Sequence, residues 1–444
     1  MFKTISAGLM MTGIMVPILG CGGESVPNLT AVSAKDAPAT ITVYKSGLNL
    51  TDTEFQTFFV DPVQKKYPQY TLRLIADEKG ATPEELLAAG TFPDIIFTSN
   101  PSYFRFLSLD VVQGLDDVIK KDAFDLSRIK PVITDSIRLY SGNQQLIALP
   151  FSLNTAALFY NKDVFDKFGM EYPREGLTWD EALKLGRQLT RTDNGTKYVG
   201  IDLTEPMNVA RGLSLPLIDP KSGKAAVGSE AWVKVFRLLQ ESYEIPGYIG
   251  DNDRYSYGNK AFMQERNLAM LPNWLGGLIG PLHELAKQGN PLSWDVAPLP
   301  NFPEALGTGR EIDIHSMMLS RLGAHQEQAW QVMSLMLQDE VQNIISRAGR
   351  QSVLDNPRLD EEFGKELDSL AGKQTANIFK TKPRLLHPPS EFDKDVAIKR
   401  MNEAAKDVAI GRVDVNTALR NAADNIDKDI ASLKNTDRAQ AGAK

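Results

Sequence analysis

The side chains in this sequence that could do chemistry are few, and their spacing decides which chemistry is open to them. Two close carboxylate pairs, Asp251 with Asp253 and Glu311 with Asp313, hint at the acid and base that a glycosidase sets on either side of a scissile bond. Both pairs lie in stretches that read as solvated loops. No Gly-x-Ser-x-Gly, His-Glu-x-x-His or phosphate-binding glycine loop is present, and a single cysteine with 4 scattered histidines offers no metal-ligand spacing. These residues point to binding without turnover, with no catalytic residue, cofactor or metal. Recognition remains, and a flat aromatic ring with planar polar groups could grip a ligand that presents both an apolar face and polar groups. Trp274 is the leading platform, because it follows Ala269-Met270-Leu271 and shares a loop with Asn273 and Gly276-Gly277. Trp179, Trp232, Trp294 and Trp330 fall in a capping box, amphipathic helices and a short strand, where packing is the commoner use.

The elements that must position such residues are legible at the start of the chain. Ile41–Tyr44, Tyr70–Ile75 and Asp94–Phe97 are β-rich runs separated by helical patterns, a βαβαβ order that builds parallel strands. Both intervening helices begin with a capping box, Thr51 to Glu54 and Thr82 to Glu85, the second with proline at its first position. Loops after the carboxyl ends of parallel strands line a common crevice. This makes Ser46 and Asn49, and then Ser99, Asn100 and Tyr103, candidates for one wall of a ligand cleft. Farther on, Leu146–Phe151 and Leu158–Lys162 read as extended, Thr178 and Ser229 as helix caps, and Asn267–Leu271 and Trp294–Pro300 as strands. Beyond Pro300 the pattern is mostly helical. The final helix sets Leu419, Ala422, Ile426, Ile430 and Leu433 on one face, a stripe spaced for burial.

Composition limits the alternatives. With 42% hydrophobic and 24% charged residues the chain is an ordinary folded protein, long enough for more than one core. Its net charge of −7 argues against nucleic acid, whose phosphates need a basic surface. At the amino end, Lys3 precedes an uncharged apolar run from Ile5 to Ile18 that is short for a membrane span and reads as an export signal. The run closes on Ile18-Leu19-Gly20-Cys21, which resembles a bacterial lipobox. Cys21 would be the lipidated first residue of the mature chain, followed by a tether over 21–39 poor in large apolar residues.

An ordered set of motifs then resembles one family. They are the lipobox; Phe92-Pro93-Asp94-Ile95-Ile96; Leu149-Pro150 followed by Ala157 to Asp163; Leu177-Thr178-Trp179-Asp180-Glu181; Asp193-Asn194-Gly195-Thr196; Met270 to Trp274; and Trp294 to Pro300 before the helix through Ala329-Trp330. In order and spacing they are similar to the bacterial extracellular solute-binding proteins of carbohydrate ABC importers, the group that includes maltose-binding protein. The resemblance implies an α/β, two-lobed periplasmic-binding-protein-like fold of type II, with a ligand cleft at a hinge of three chain crossings near Pro150–Asn154, Gly307–His315 and Arg350–Asn356. The expected organisation is a signal peptide over 1–20, an N-terminal lobe over 40–150 and 315–350, and a C-terminal lobe over 151–314 and 351–444.

By the same resemblance, Phe151, Asn154, His315 and Arg350 lie near the crossings and within reach of ligand, while Arg310, Glu311 and Asp313 could pair with each other at the hinge. Relatives place tryptophan after the Asp-Ile-Ile strand, whereas Thr98 stands here, with Tyr103 or Phe104 as replacement rings. The function implied is that of a monomeric substrate-binding lipoprotein on the outer face of the cell membrane. It would capture a sugar or oligosaccharide and deliver it to a membrane permease. A non-sugar ligand, a sensory receptor partner or a lipid-anchored hydrolase are the alternatives.

Overall fold

The computed structural model describes residues 37–442, with side chains to residue 436; the export signal, Cys21 and most of the tether lie outside the described residues. Among the described residues twelve strands follow in chain order: β1 Ala39–Lys45, β2 Tyr70–Ala76, β3 Ile95–Ser99, β4 Leu149–Asn154, β5 Ala156–Asn161, β6 Arg191–Asp193, β7 Thr196–Ile201, β8 Leu268–Trp274, β9 Trp294–Ala297, β10 Thr308–Glu311, β11 Asp313–Leu319 and β12 Lys382–Arg384. They form two mixed five-stranded sheets, β2-β1-β3-β11-β4 and β6-β7-β8-β5-β9, with β10 and β12 as a separate pair.

The local signals that start the first sheet are present in full. β1 pairs in parallel with both β2 and β3. Thr51 and Thr82 each accept from the backbone of Glu54 and Glu85, whose carboxylates bond back to the cap, so two orphan donors are satisfied at each helix start. Thr178 builds the same box, and Ser229 caps the helix Glu230–Tyr243. Between β6 and β7 the chain reverses on Asn194 and Gly195, both at positive φ (46° and 79°), the backbone that an Asn-Gly hairpin turn requires.

Each sheet has its own apolar core. The first is built from Ala39 to Leu153 and from Ile312 to Leu359, with Leu386; the second from Ala156 to Phe302 and from Phe363 to Ile430. Chain therefore passes between cores at Asn154–Thr155, ahead of Ile312, and between Leu359 and Phe363. The third passage is later than the Arg350–Asn356 stretch expected, because residues 353–355 run beside the first lobe. Lys130 N donates to Val353 O, Asp355 N to Arg128 O, and Ile129 bridges Leu354.

The chain after Pro300 is mostly helical, as expected, but it also carries β10, β11 and β12, and β11 is an interior strand of the first sheet. One other expectation is corrected. In the last helix, Leu419, Ala422, Ile426 and Ile430 are buried, but Leu433 is exposed, because the helix continues past the body it packs against.

Candidate functional site

The two sheets meet at their strand ends. Antiparallel pairing of β11 with β3 and β4 sets His315 beside Ser99 and Ser152, and Asp313 beside Asn154. Two residues past Asn154 the chain is in the second sheet, where Ala156 stands opposite Trp274 at the end of β8. Asn154 binds this junction together. Its Nδ2 donates to Asp313 Oδ2 at 2.8 Å and its Oδ1 accepts from Gly276 N at 2.9 Å.

Around the junction lies a cleft with two chambers. The larger, about 400 Å³, is lined from the first lobe by Ser99, Asn100, Phe104 and Tyr140, and from the second by Arg211, Trp274, His387 and Asp393. The smaller, about 360 Å³, lies between Asn49, His315, Asn154 and Gly276. Ser99 and Asp313 line both. Lys394 Nζ, from the second lobe, donates to Ser102 Oγ of the first at 2.9 Å. The volumes suit a small-molecule ligand.

Trp274 is the half-buried tryptophan on this wall, whereas Trp179, Trp232, Trp294 and Trp330 are all buried in the cores. It is the last residue of β8 rather than part of a loop. Asn273 does not line either chamber; it donates to Asn259 Oδ1 at 2.6 Å and accepts from Trp274 N at 2.8 Å, which fixes the backbone beneath the ring.

On the first wall, Ser99 Oγ donates to Gly47 O at 2.5 Å. Asn100 accepts from Ile314 N at 2.8 Å and donates to the Tyr140 hydroxyl at 3.4 Å. Ser46 is not in the lining, since its hydroxyl is taken up by Asp77 Oδ2 at 2.6 Å. Tyr103 is fully buried, bonded to Ser316 and packed edge-on against Tyr140 at 4.9 Å. Its neighbour Phe104 faces the chamber and supplies a ring there, as Thr98, buried within the sheet, does not. Phe151 also faces away. Strand alternation puts it with Leu149 and Leu153 in the core, against Phe59 at 5.1 Å and Phe97 at 5.7 Å.

His315 and Arg350 form one unit. Arg350 grips Glu54 with Nε at 2.6 Å and Nη2 at 2.9 Å, and its Nη1 lies 3.0 Å from His315 Nδ1. Burial, with Arg350 beside it, pushes the His315 imidazolium down to about 3, so the ring is neutral at physiological pH. Burial works against the Glu54 carboxylate, but the Arg350 guanidinium holds it below its ordinary value.

Arg310, Glu311 and Asp313 do not pair with each other. Arg310 donates to the carbonyls of Asn208 and Pro272 at 2.8 and 2.9 Å. Glu311 Oε1 accepts from both His387 N and His387 Nδ1, each at 2.7 Å. Burial raises the Asp313 carboxyl, against the Asn154 hydrogen bond and the Arg211 charge that lower it. Asp313 Oδ1 and Asp393 Oδ1 are buried with no hydrogen-bond partner among the described residues. A buried carboxylate oxygen left bare is costly, and in a cleft it is an acceptor awaiting a donor.

Arg211, Tyr140, His387, Asp393 and Lys394 were not anticipated. His387 sits in an irregular stretch and meets Glu311 from 76 positions away; the usable signal was His387-Pro388-Pro389, a rigid break inside a region otherwise read as helical.

Comparison with known proteins identifies the family and the fold. A family model described as bacterial extracellular solute-binding protein matches residues 50–343. An arabinooligosaccharide-binding protein of Bacillus subtilis (strain 168) is 25% identical over 291 residues, 62% of this chain; the match spans 63% of that relative's length. Among solved structures, an ABC substrate-binding protein from Listeria monocytogenes in complex with cycloalternan superposes with a TM-score of 0.69 at 19% identity, covering 88% of this chain and 99% of that one. The sugar-binding protein MalE from Xanthomonas citri superposes at 0.68 and 18% identity, covering 89% and 98%. The fold is thus the two-lobed α/β fold of these binding proteins.

Proposed function

The chain belongs to the family of bacterial extracellular solute-binding proteins, and we propose that it is the substrate-binding component of an ABC importer, taking up a sugar or oligosaccharide without turnover. The observation that carries this reading is the cleft between two separately cored lobes, where the Trp274 ring stands near two buried carboxylate oxygens that lack donors. A ring with an apolar face and hydroxyls answers both. The relative that binds arabinooligosaccharide and the neighbours described with cycloalternan and as sugar-binding support it.

The lobes, one of 39–153 with 312–359 and the other of 156–302 with 363–436, close on ligand about the passages near Asn154 and Ile312. The closed form is what a permease recognises, a population shift drawn from differential contacts. Cys21 carries the lipid that keeps the protein at the outer face of the membrane. Mass spectrometry of the mature amino terminus tests this, and an unmodified Cys21 in membrane-derived protein would refute it.

The decisive experiment is a thermal-shift screen with tagatose, maltotetraose and arabinotriose beside amino acids, polyamines and oxyanions. A ligand that binds the native state raises the melting temperature by mass action. A shift from a sugar supports the reading. A shift from a non-sugar alone would overturn the carbohydrate assignment and leave the binding role.

A further inference from the structure

Trp274 lines both the larger chamber and a small cavity at the lobe junction, and each side carries an arginine. Arg310 lines the small cavity and Arg211 the large chamber, with guanidinium carbons 5.0 and 5.6 Å from the ring centroid. The two are held differently. Arg310 is 2% exposed and fixed by two backbone carbonyls, so it backs the ring. Arg211 is anchored through its main chain, its carbonyl accepting from Glu311 N at 3.0 Å, while its guanidinium has no hydrogen bond or ion pair among the described residues. Two like charges at one indole repel, and burial with Arg211 nearby lowers Arg310 to about 9. The cation–π contact with the ring holds the guanidinium on the ligand side but leaves its donors without a hydrogen-bond partner among the described residues.

Its neighbour in charge is Asp313, whose Oδ1 is likewise bare. A fork of donors and a carboxylate acceptor therefore converge from the two lobes on the chamber that the Trp274 ring borders. A free carboxylate on the ligand would suit Arg211 but would meet Asp313 and Asp393. A neutral ring with adjacent hydroxyls suits all three, because each hydroxyl both donates and accepts.

We propose that Arg211 is a specificity-determining ligand contact, donating to one hydroxyl of a neutral sugar ring beside Trp274 while Asp313 Oδ1 accepts from the adjacent hydroxyl. This rests on the sugar-binding reading above and names the groups that select the sugar.

Isothermal titration with tagatose, maltotetraose, arabinotriose and glucuronate tests it, on wild type, Arg211→Ala, Arg211→Lys and Asp313→Asn. The expected result is at least tenfold weaker binding of the neutral sugar in Arg211→Ala, partial recovery in Arg211→Lys, weaker binding in Asp313→Asn, and no preference for glucuronate in wild type. The ligand-free melting temperature of Arg211→Ala should stay level or rise, which separates a contact from a structural role. Unchanged or tighter binding in Arg211→Ala, or a preference for glucuronate, would overturn the inference with sugar binding intact. If wild type bound no sugar, the carbohydrate reading would fall first and this inference with it.

Discussion

His387 Nδ1 lies 2.7 Å from Glu311 Oε1, and on the other side of the ring His387 Nε2 faces Asp393 Oδ2 at 3.4 Å. Burial opposes the imidazolium, yet the bonds to Asp393 and Glu311 raise His387 to about 9. Its unfolded value is about 6.5. The folded pKa is the higher, so the stability it contributes is complete below about pH 6.5 and is lost as pH rises through about 9. His387→Gln should therefore melt well below wild type at pH 6.5, by on the order of 1–3 kcal/mol, and the gap should narrow by pH 10. Thermal melts of both proteins across that range check it; a gap independent of pH would show that the charge is not involved.

Gly200 on β7 packs directly on Gly186 of the helix Trp179–Leu189. A Cβ at Gly200 would stand 1.9 Å from Gly186 O, and that neighbour is backbone, so no rotamer change relieves it. Gly200→Ala should cost more than about 2 kcal/mol, at the upper end of overpacking in a dense core. Gly228→Ala, where a Cβ meets nothing within 4 Å, is the matched control. Equal denaturant midpoints for the two variants would contradict the packing.

What the sequence disclosed about this molecule divides by range. Thr51, Thr82 and Thr178 announce helix starts because each cap is completed within four residues, and β1 to β3 are legible because their alternation with helices is local. β10 and β12 are 4 and 3 residues long and find each other across the chain, so no window contains their reason for being strands. The site follows the same rule. Ser99, Asn100, Asn154 and Trp274 terminate strands or begin loops, positions that a strand-end argument reaches. Phe151 differs from expectation by strand parity, one face of β4 going to the core and the other to the junction. His387 and Arg211 depend on partners brought together by the fold.

Trp274→Ala should separate binding from folding. The ring is half-buried at a cleft wall, whereas Trp232 is fully buried and its Nε1 donates to Pro216 O at 3.0 Å. Removing the core ring should cost about 3–5 kcal/mol; removing the cleft ring should cost clearly less and abolish the sugar-induced melting shift. Melting with and without arabinotriose or maltotetraose, whichever shifts wild type, reads both quantities. A retained shift in Trp274→Ala would remove the ring from the binding site.

Asn154 is the side chain on which both lobes lean, and its removal should be felt in binding more than in folding. Asn154→Ala deletes the bonds to Asp313 Oδ2 and Gly276 N, about 1 kcal/mol each in net stability, with more where a buried polar group is left bare. Asp313 then keeps no hydrogen-bond partner on either oxygen among the described residues. Its carboxyl is already raised by burial, and the Asn154 bond is one of the influences that lower it, so the variant should raise it further. A carboxyl whose folded pKa is raised favours the fold in its protonated form and loses that advantage as pH rises through the folded value. Ligand hydroxyls that donate to Asp313 need the ionised form, so affinity should decline on acidification, and in Asn154→Ala the decline should begin nearer neutrality than in wild type. Titrations of the bound sugar from pH 7.5 down to pH 4.5 in both proteins give the two profiles. Superimposable profiles would mean that Asp313 is not ionised against the ligand, and that Asn154 serves the junction alone.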